Sequence, residues 1–120
     1  MMIMQSFLAF FYLLEQCYLQ CQEDDLGGFL GAISPEIWED GQPIDKAILI
    51  DWQKNRGHLS ADGNNLAKVA FDFLEYYEHQ FGYNFVQTKQ CLCNADNRAI
   101  ENAIIKAREM CEKYHYSNEI

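Results

Sequence analysis

Three groups of side chains in this 120-residue sequence could do chemistry: five cysteines, three histidines and a concentration of acids. Cys17 and Cys21 stand four apart and Cys91 and Cys93 two apart, so four thiolates could in principle surround a zinc ion. Zinc ligands are usually set roughly two to four residues apart within a turn. Cys17 and Cys21 instead fall on one face of a regular helix, while Cys91-Leu92-Cys93 reads as a loop. Buried thiols packing as small apolar groups account for them better. His58, His79 and His115 are scattered, and only His79 has acids nearby, Glu75 and Glu78. A general acid or base needs a positioned partner and a cleft; neither can be argued, and all three are expected at the surface. Asp24, Asp25, Asp40, Asp45 and Asp51 could form a carboxylate metal site. Calcium loops alternate their ligands at fixed short spacing around a glycine, and the DGQPID of residues 40–45 lacks the rest of that pattern. Capping, a turn and solvation explain these acids. The chain has no phosphate-cradling glycine loop followed by Lys-Ser/Thr and no nucleophile elbow. No enzyme, cofactor or bound metal is expected.

The elements that would position these residues are helical. From Ile3 to Gln22, apolar residues at Phe7, Phe10, Phe11, Leu14, Cys17, Tyr18 and Cys21 recur in steps of three and four, the period of one helical face. Leu8, Ala9, Tyr12 and Leu13 fill the gaps, so the front of this helix is apolar nearly all round and should be central. Asp24 or Asp25 can cap a short second helix, LGGFLGAIS, by bonding the free N–H groups of its first turn. Gly27, Gly28 and Gly31 would then leave a smooth strip for close backbone approach; the alternative is a tight turn at the paired glycines. Ser34-Pro35 ends this element, and residues 37–45 read as an exposed turn region. Asp45 suits the N-cap of a helix from Lys46 to Arg56, with Ile48 and Trp52 on its buried face and Gly57 as its stop; AILI could alternatively be a short strand. Leu66, Val69, Ala70, Phe73, Leu74, Tyr77 and Phe81 share the face of a helix that stops near Gly82. Residues 83–94 could be a helical turn or a strand. Asn94 or Asp96 caps a last helix carrying Ala99, Ile100, Ala103, Ile104 and Ala107. The expectation is an all-α, single-domain bundle of four to five helices spanning residues 1–120.

Charge narrows the partners. Eighteen acids against nine Lys and Arg give a formal charge of −9, a surface that repels nucleic acid and anionic lipid and attracts basic proteins. The apolar start of the chain lacks a basic flank, a cleavage site and an 18-residue apolar span, so neither a signal nor a membrane anchor is expected. An odd number of cysteines in a helical chain points to reduced thiols and a cytoplasmic setting. Between Glu23 and Asp51 lie eight acids and one base, Lys46. Glu36, Trp38, Glu39 and Asp40, with Asp45 and Asp51 beside them, would form an acidic, aromatic surface for a basic protein partner. On the alternative reading Trp38 belongs to the core and the carboxylates only keep the surface solvated.

The same stretch resembles a known family. Asp25-Leu26-Gly27-Gly28-Phe29-Leu30-Gly31, then Asp40-Gly41-Gln42-Pro43-Ile44-Asp45-Lys46-Ala47, then Asp51-Trp52, is similar to the DxGGLLG…DGxPxDPA…DW core of small bacterial immunity proteins. These are encoded beside polymorphic or contact-dependent growth-inhibition toxins. The match covers about a quarter of the chain. It departs at Lys46, where proline is frequent, and at Phe29, where leucine is usual; both changes are compatible with Asp45 capping a helix. The resemblance implies a cytoplasmic protein that binds and neutralises a cognate toxin domain, often a nuclease with a basic cleft. It also implies that Asp25, Gly27, Gly28, Gly41, Pro43 and Trp52 serve structure rather than contact. The alternative is a non-catalytic interaction or regulatory module, such as a homodimer, without a toxin partner.

Overall fold

The computed structural model describes residues 1–35 and 46–114. They form six helices and no strand: α1 (Ile3–Cys21), α2 (Asp24–Ile33), α3 (Lys46–Asn55), α4 (Leu66–Phe81), α5 (Val86–Cys93) and α6 (Asn97–Tyr114). The all-α bundle is as expected, with one helix more than the upper end of the expected range. The addition is α5, from the segment that sequence left open between turn and strand. Lys46–Asn55 resolves to helix rather than strand, and the paired glycines lie inside α2 rather than breaking it.

α1 is the axis. Ten of its nineteen residues are buried, and they occupy several sides of the helix rather than one stripe. No single neighbour can cover such a surface, and α1 packs against all five other helices. Its most extensive pairing is with α6, where Ala103 and Ala107 are fully buried beside Ile100 and Ile104. Alanines at that spacing let two helices approach closely. Gln16 fastens the pair by donating from Nε2 to the Ala99 carbonyl at 3.1 Å.

An aromatic cluster joins the other helices to this axis. The Trp52 indole of α3 stacks on Phe10 at 4.4 Å between ring centroids and meets Phe73 of α4 edge-on at 5.4 Å. Phe29 of α2 lies edge-on to Phe10, Tyr77, Tyr83 and Phe85. Trp52 is fully buried, so its N–H needs a partner. It donates to Ser6 Oγ at 3.0 Å, and Ser6 Oγ donates in turn to the Ile3 carbonyl at 2.8 Å. One apolar cluster includes buried side chains from every helix.

The connections are tight. Gln22 takes a left-handed conformation (φ 49°) and returns its N–H to the Tyr18 carbonyl, which ends α1 and allows α2 to begin at Asp24. Between α3 and α4, Gly63 sits at φ +74°, where a Cβ would come within 2.6 Å of Met1 and 2.8 Å of Ile104. The backbone angle favours glycine there, and a larger residue would also have to push the ends of the Met1 and Ile104 side chains aside. Gly82, also left-handed, closes α4 where the sequence places its stop.

Trp52→Ala is expected to cost about 3–5 kcal/mol through the cavity it leaves. Trp52→Phe should cost less, about 1–3 kcal/mol, because a ring is kept against Phe10 while the Ser6 partner and part of the indole volume are lost. Urea unfolding followed by circular dichroism checks both; equal costs would show that the ring kept by phenylalanine adds nothing and that the whole loss lies in the indole hydrogen bond.

Candidate partner-binding surface

The acids at the α1–α2 corner do not cap their own helix. Neither Asp24 nor Asp25 caps α2; the residue at the N-cap position is Glu23, and it makes no side-chain bond to that helix. Because α1 ends in a left-handed residue and α2 starts at once, these acids face the chain leading into α5. Glu23 Oε1 accepts from the Thr88 N–H (3.0 Å) and the Thr88 hydroxyl (2.8 Å), and Oε2 accepts from the Gln87 N–H (3.0 Å). Asp25 Oδ2 accepts the Asn84 N–H at 2.7 Å. Asn84 Oδ1 takes the Val86 N–H at 3.1 Å, and Glu78 Oε2 takes the Phe85 N–H at 2.8 Å. The first turn of a helix leaves its N–H groups without intrahelical partners. In α5 three of these are met by side chains, two of them by a carboxylate more than sixty residues away.

Glu78 also anchors α5 through Lys89. The Lys89 ammonium lies 2.6 Å from Glu78 and 3.6 Å from Glu75, with its side chain only 19% exposed. It also sits over the Phe71 ring, 5.3 Å from the centroid. Burial by itself would raise the Glu78 carboxyl. The Lys89 hydrogen bond, the Phe85 N–H and the nearby Lys89 and His79 charges outweigh it and hold the group below its ordinary value. Lys89 is raised, chiefly by its hydrogen bond to Glu78.

The expected contact residues divide sharply. Glu36, Trp38, Glu39, Asp40 and Asp45, and the motif residues Gly41 and Pro43, lie outside the described residues. Asp51 is half-buried, and its Oδ2 accepts the Tyr77 hydroxyl at 2.7 Å, which ties α3 to α4. Trp52 is core. Gly27 packs closely on Tyr18, since a Cβ there would stand 3.0 Å from the ring and make it shift by a few tenths of an ångström. Gly28 and Gly31 are exposed, and a Cβ added at either would meet no described atom within 4 Å, so the expected packing strip reduces to Gly27. What remains at this corner is exposed Asp24 at the edge of an open acidic cleft of about 400 Å³.

No protein family, curated protein or solved structure matches this chain.

Other side chains fall differently from the sequence reading. Phe81, expected on the buried face of α4, is 61% exposed. The last turn of α4 runs past the core, and among the described rings Phe81 packs on Tyr77 alone, at 4.9 Å. Val86 is 54% exposed nearby in sequence. Cys91 and Cys93 lie on helix α5, not in a loop. The Cys17 thiol is pushed far above its ordinary value by burial, then by the adjacent Cys91 and Cys21 thiols, and stays protonated. Among the described residues no group of three or more His, Cys, Asp or Glu is placed to hold a metal ion. Sequence reasoning missed Glu23, Glu78 and Lys89. The only trace of them is that α5 has no acid of its own at its start, so its caps had to come from elsewhere.

Glu23→Ala is expected to cost about 1–2 kcal/mol and to speed exchange of the Gln87 and Thr88 amides by about tenfold or more. Hydrogen exchange with NMR detection checks this; unchanged rates there would show that α5 holds without Glu23. Lys89→Met is expected to cost about 2 kcal/mol near neutral pH. Because the Glu78 value is depressed when folded, its contribution is complete above the unfolded value of 4.5. It is lost as pH falls through the folded value. The stability gap between wild type and Lys89→Met, measured by urea titration, should therefore shrink below about pH 4.

Proposed function

We propose that this chain is a cytoplasmic immunity protein that binds a cognate bacterial toxin domain and neutralises it by covering a basic surface, as a nuclease cleft would present. The observation that carries the reading is the acidic stretch from Glu23 to Asp51, eight acids against one base, coinciding with the stretch that resembles the DxGGLLG…DGxPxDPA…DW core. Basic partners are drawn to such a surface over long range. The geometry refines which acids are available. Glu23, Asp25 and Asp51 are spent on backbone N–H groups and the Tyr77 hydroxyl. Among the described acids of this stretch that leaves Asp24 for partner contact; Glu36, Trp38, Glu39, Asp40 and Asp45, outside the described residues, are proposed as contacts from sequence alone. Among the described residues no helix is long and apolar enough to cross a membrane.

A second reading, an interaction or regulatory module that pairs with its own copy, is favoured by Phe81 and Val86, large apolar side chains standing more than half exposed. Sedimentation separates the two: a dimer dispersed by Phe81→Ser supports self-pairing.

The immunity reading is tested by co-expressing the chain with the toxin domain encoded beside it. Survival and co-purification are expected, with the Glu36→Lys, Glu39→Lys and Asp40→Lys triple variant weakening the complex by more than about tenfold. Asp51→Asn should lower stability and leave affinity nearly unchanged. Failure of both rescue and complex formation would remove the proposal.

A further inference from the structure

The side of the bundle formed by α4, α5 and the start of α6 differs in character from the rest of this acidic chain. Two neighbouring clefts there share Phe71 and Cys93 in their linings and are taken together as a groove. The larger, about 500 Å³, lies where α4 and α6 begin, and the other, about 490 Å³, runs along α5. The larger cleft alone falls in the range of about 300–1,000 Å³ typical of small-ligand sites. Its floor is apolar: Ala67, Phe71, Leu92 and Ile100.

Charge distinguishes this groove. No carboxylate is among the described residues that line either half, in a chain with eighteen acids; the only charged side chains among them are Lys68 and Lys89. Lys89 is committed to Glu78 and Glu75. Lys68 is different. Its one ion-pair partner among the described residues, Asp72, lies one turn along the same helix, and both side chains are more than half exposed. An exposed pair of that kind is worth only a few tenths of a kcal/mol, so Lys68 can turn to an incoming anion at little cost. Asn97, lining the same cleft, stands exposed at the start of α6 as a further hydrogen-bond donor.

We infer that this groove is a binding site for a small amphipathic monocarboxylate, its apolar body lying on Phe71, Leu92 and Ile100 and its carboxylate meeting Lys68 and Asn97. Elsewhere the protein's net negative charge repels an anion; here the lining presents positive and neutral groups over an apolar floor. The site is independent of the acidic stretch, so it stands or falls separately from the toxin-binding reading.

The probe is 4-phenylbutyrate, with 4-phenylbutyramide as its uncharged counterpart of equal shape. Titrated into the ¹⁵N-labelled full chain, the acid is expected to shift the amides of Ala67, Phe71, Leu92 and Ile100 saturably, with Kd on the order of 100 µM. The amide should bind at least about threefold more weakly. Lys68→Gln, an exposed change that leaves the core intact, should bring the acid down to the affinity of the amide. Cys93→Trp, a bulky side chain placed at a residue that lines both clefts, should abolish binding of both. Three results would overturn the inference: no saturable shift at millimolar acid, shifts centred on the Glu23–Asp25 corner, or equal binding of acid and amide with Lys68→Gln silent.

Discussion

A helix that is apolar on nearly every side cannot rest on one neighbour, and this constraint on α1 shapes the whole molecule. Each apolar side left facing water forfeits roughly 25 cal/mol per Å², so the remaining helices must surround it. α6 takes one side, brought close by Ala103 and Ala107. α2, α3 and α4 take another through the rings of Phe29, Trp52 and Phe73, all converging on Phe10. The buried indole N–H, a polar group that this arrangement forces inward from α3, finds its acceptor on α1 itself at Ser6.

The second constraint is hydrogen-bond accounting at α5. Eight residues make too short a helix to persist alone, and its first-turn N–H groups have no cap in the preceding loop beyond Asn84. Carboxylates from the α1–α2 corner and from α4 supply the rest. Charge-assisted bonds of this kind are stronger than neutral ones, and Glu23 holds three donors at once. Part of the acidic charge that composition alone would assign to solubility or partner steering is thus structural. The same bonds fix α5 beside α4, and that placement creates the groove floored by Phe71 and Leu92.

Function on this surface is a matter of which charges remain uncommitted. Asp24 is exposed at an acidic cleft, while its neighbours on both sides in sequence are bound to the backbone of residues 84–88. Along another side of α5 the lining carries lysine and carboxamide over apolar side chains. One short helix therefore borders two clefts of different character, one lined by acids and the other by lysine, carboxamide and apolar side chains.

Much of the architecture was legible in one dimension. The three-and-four spacing from Phe7 to Cys21 and from Leu66 to Tyr77, and the left-handed stop at Gly82, determined helices, their buried faces and the all-α class, because periodicity and backbone angles are local properties. Asp96, one of two candidate caps for the last helix, accepts the Ala99 N–H as a local cap should. Only the tertiary structure decided where Glu23, Asp25 and Glu78 spend their charge, that residues 86–93 are helical, and that Phe81 stands outside the core. A carboxylate can reach any N–H within about 3 Å, and nothing in the spacing of Glu23 and Thr88, sixty-five positions apart, says that folding will bring them to that distance.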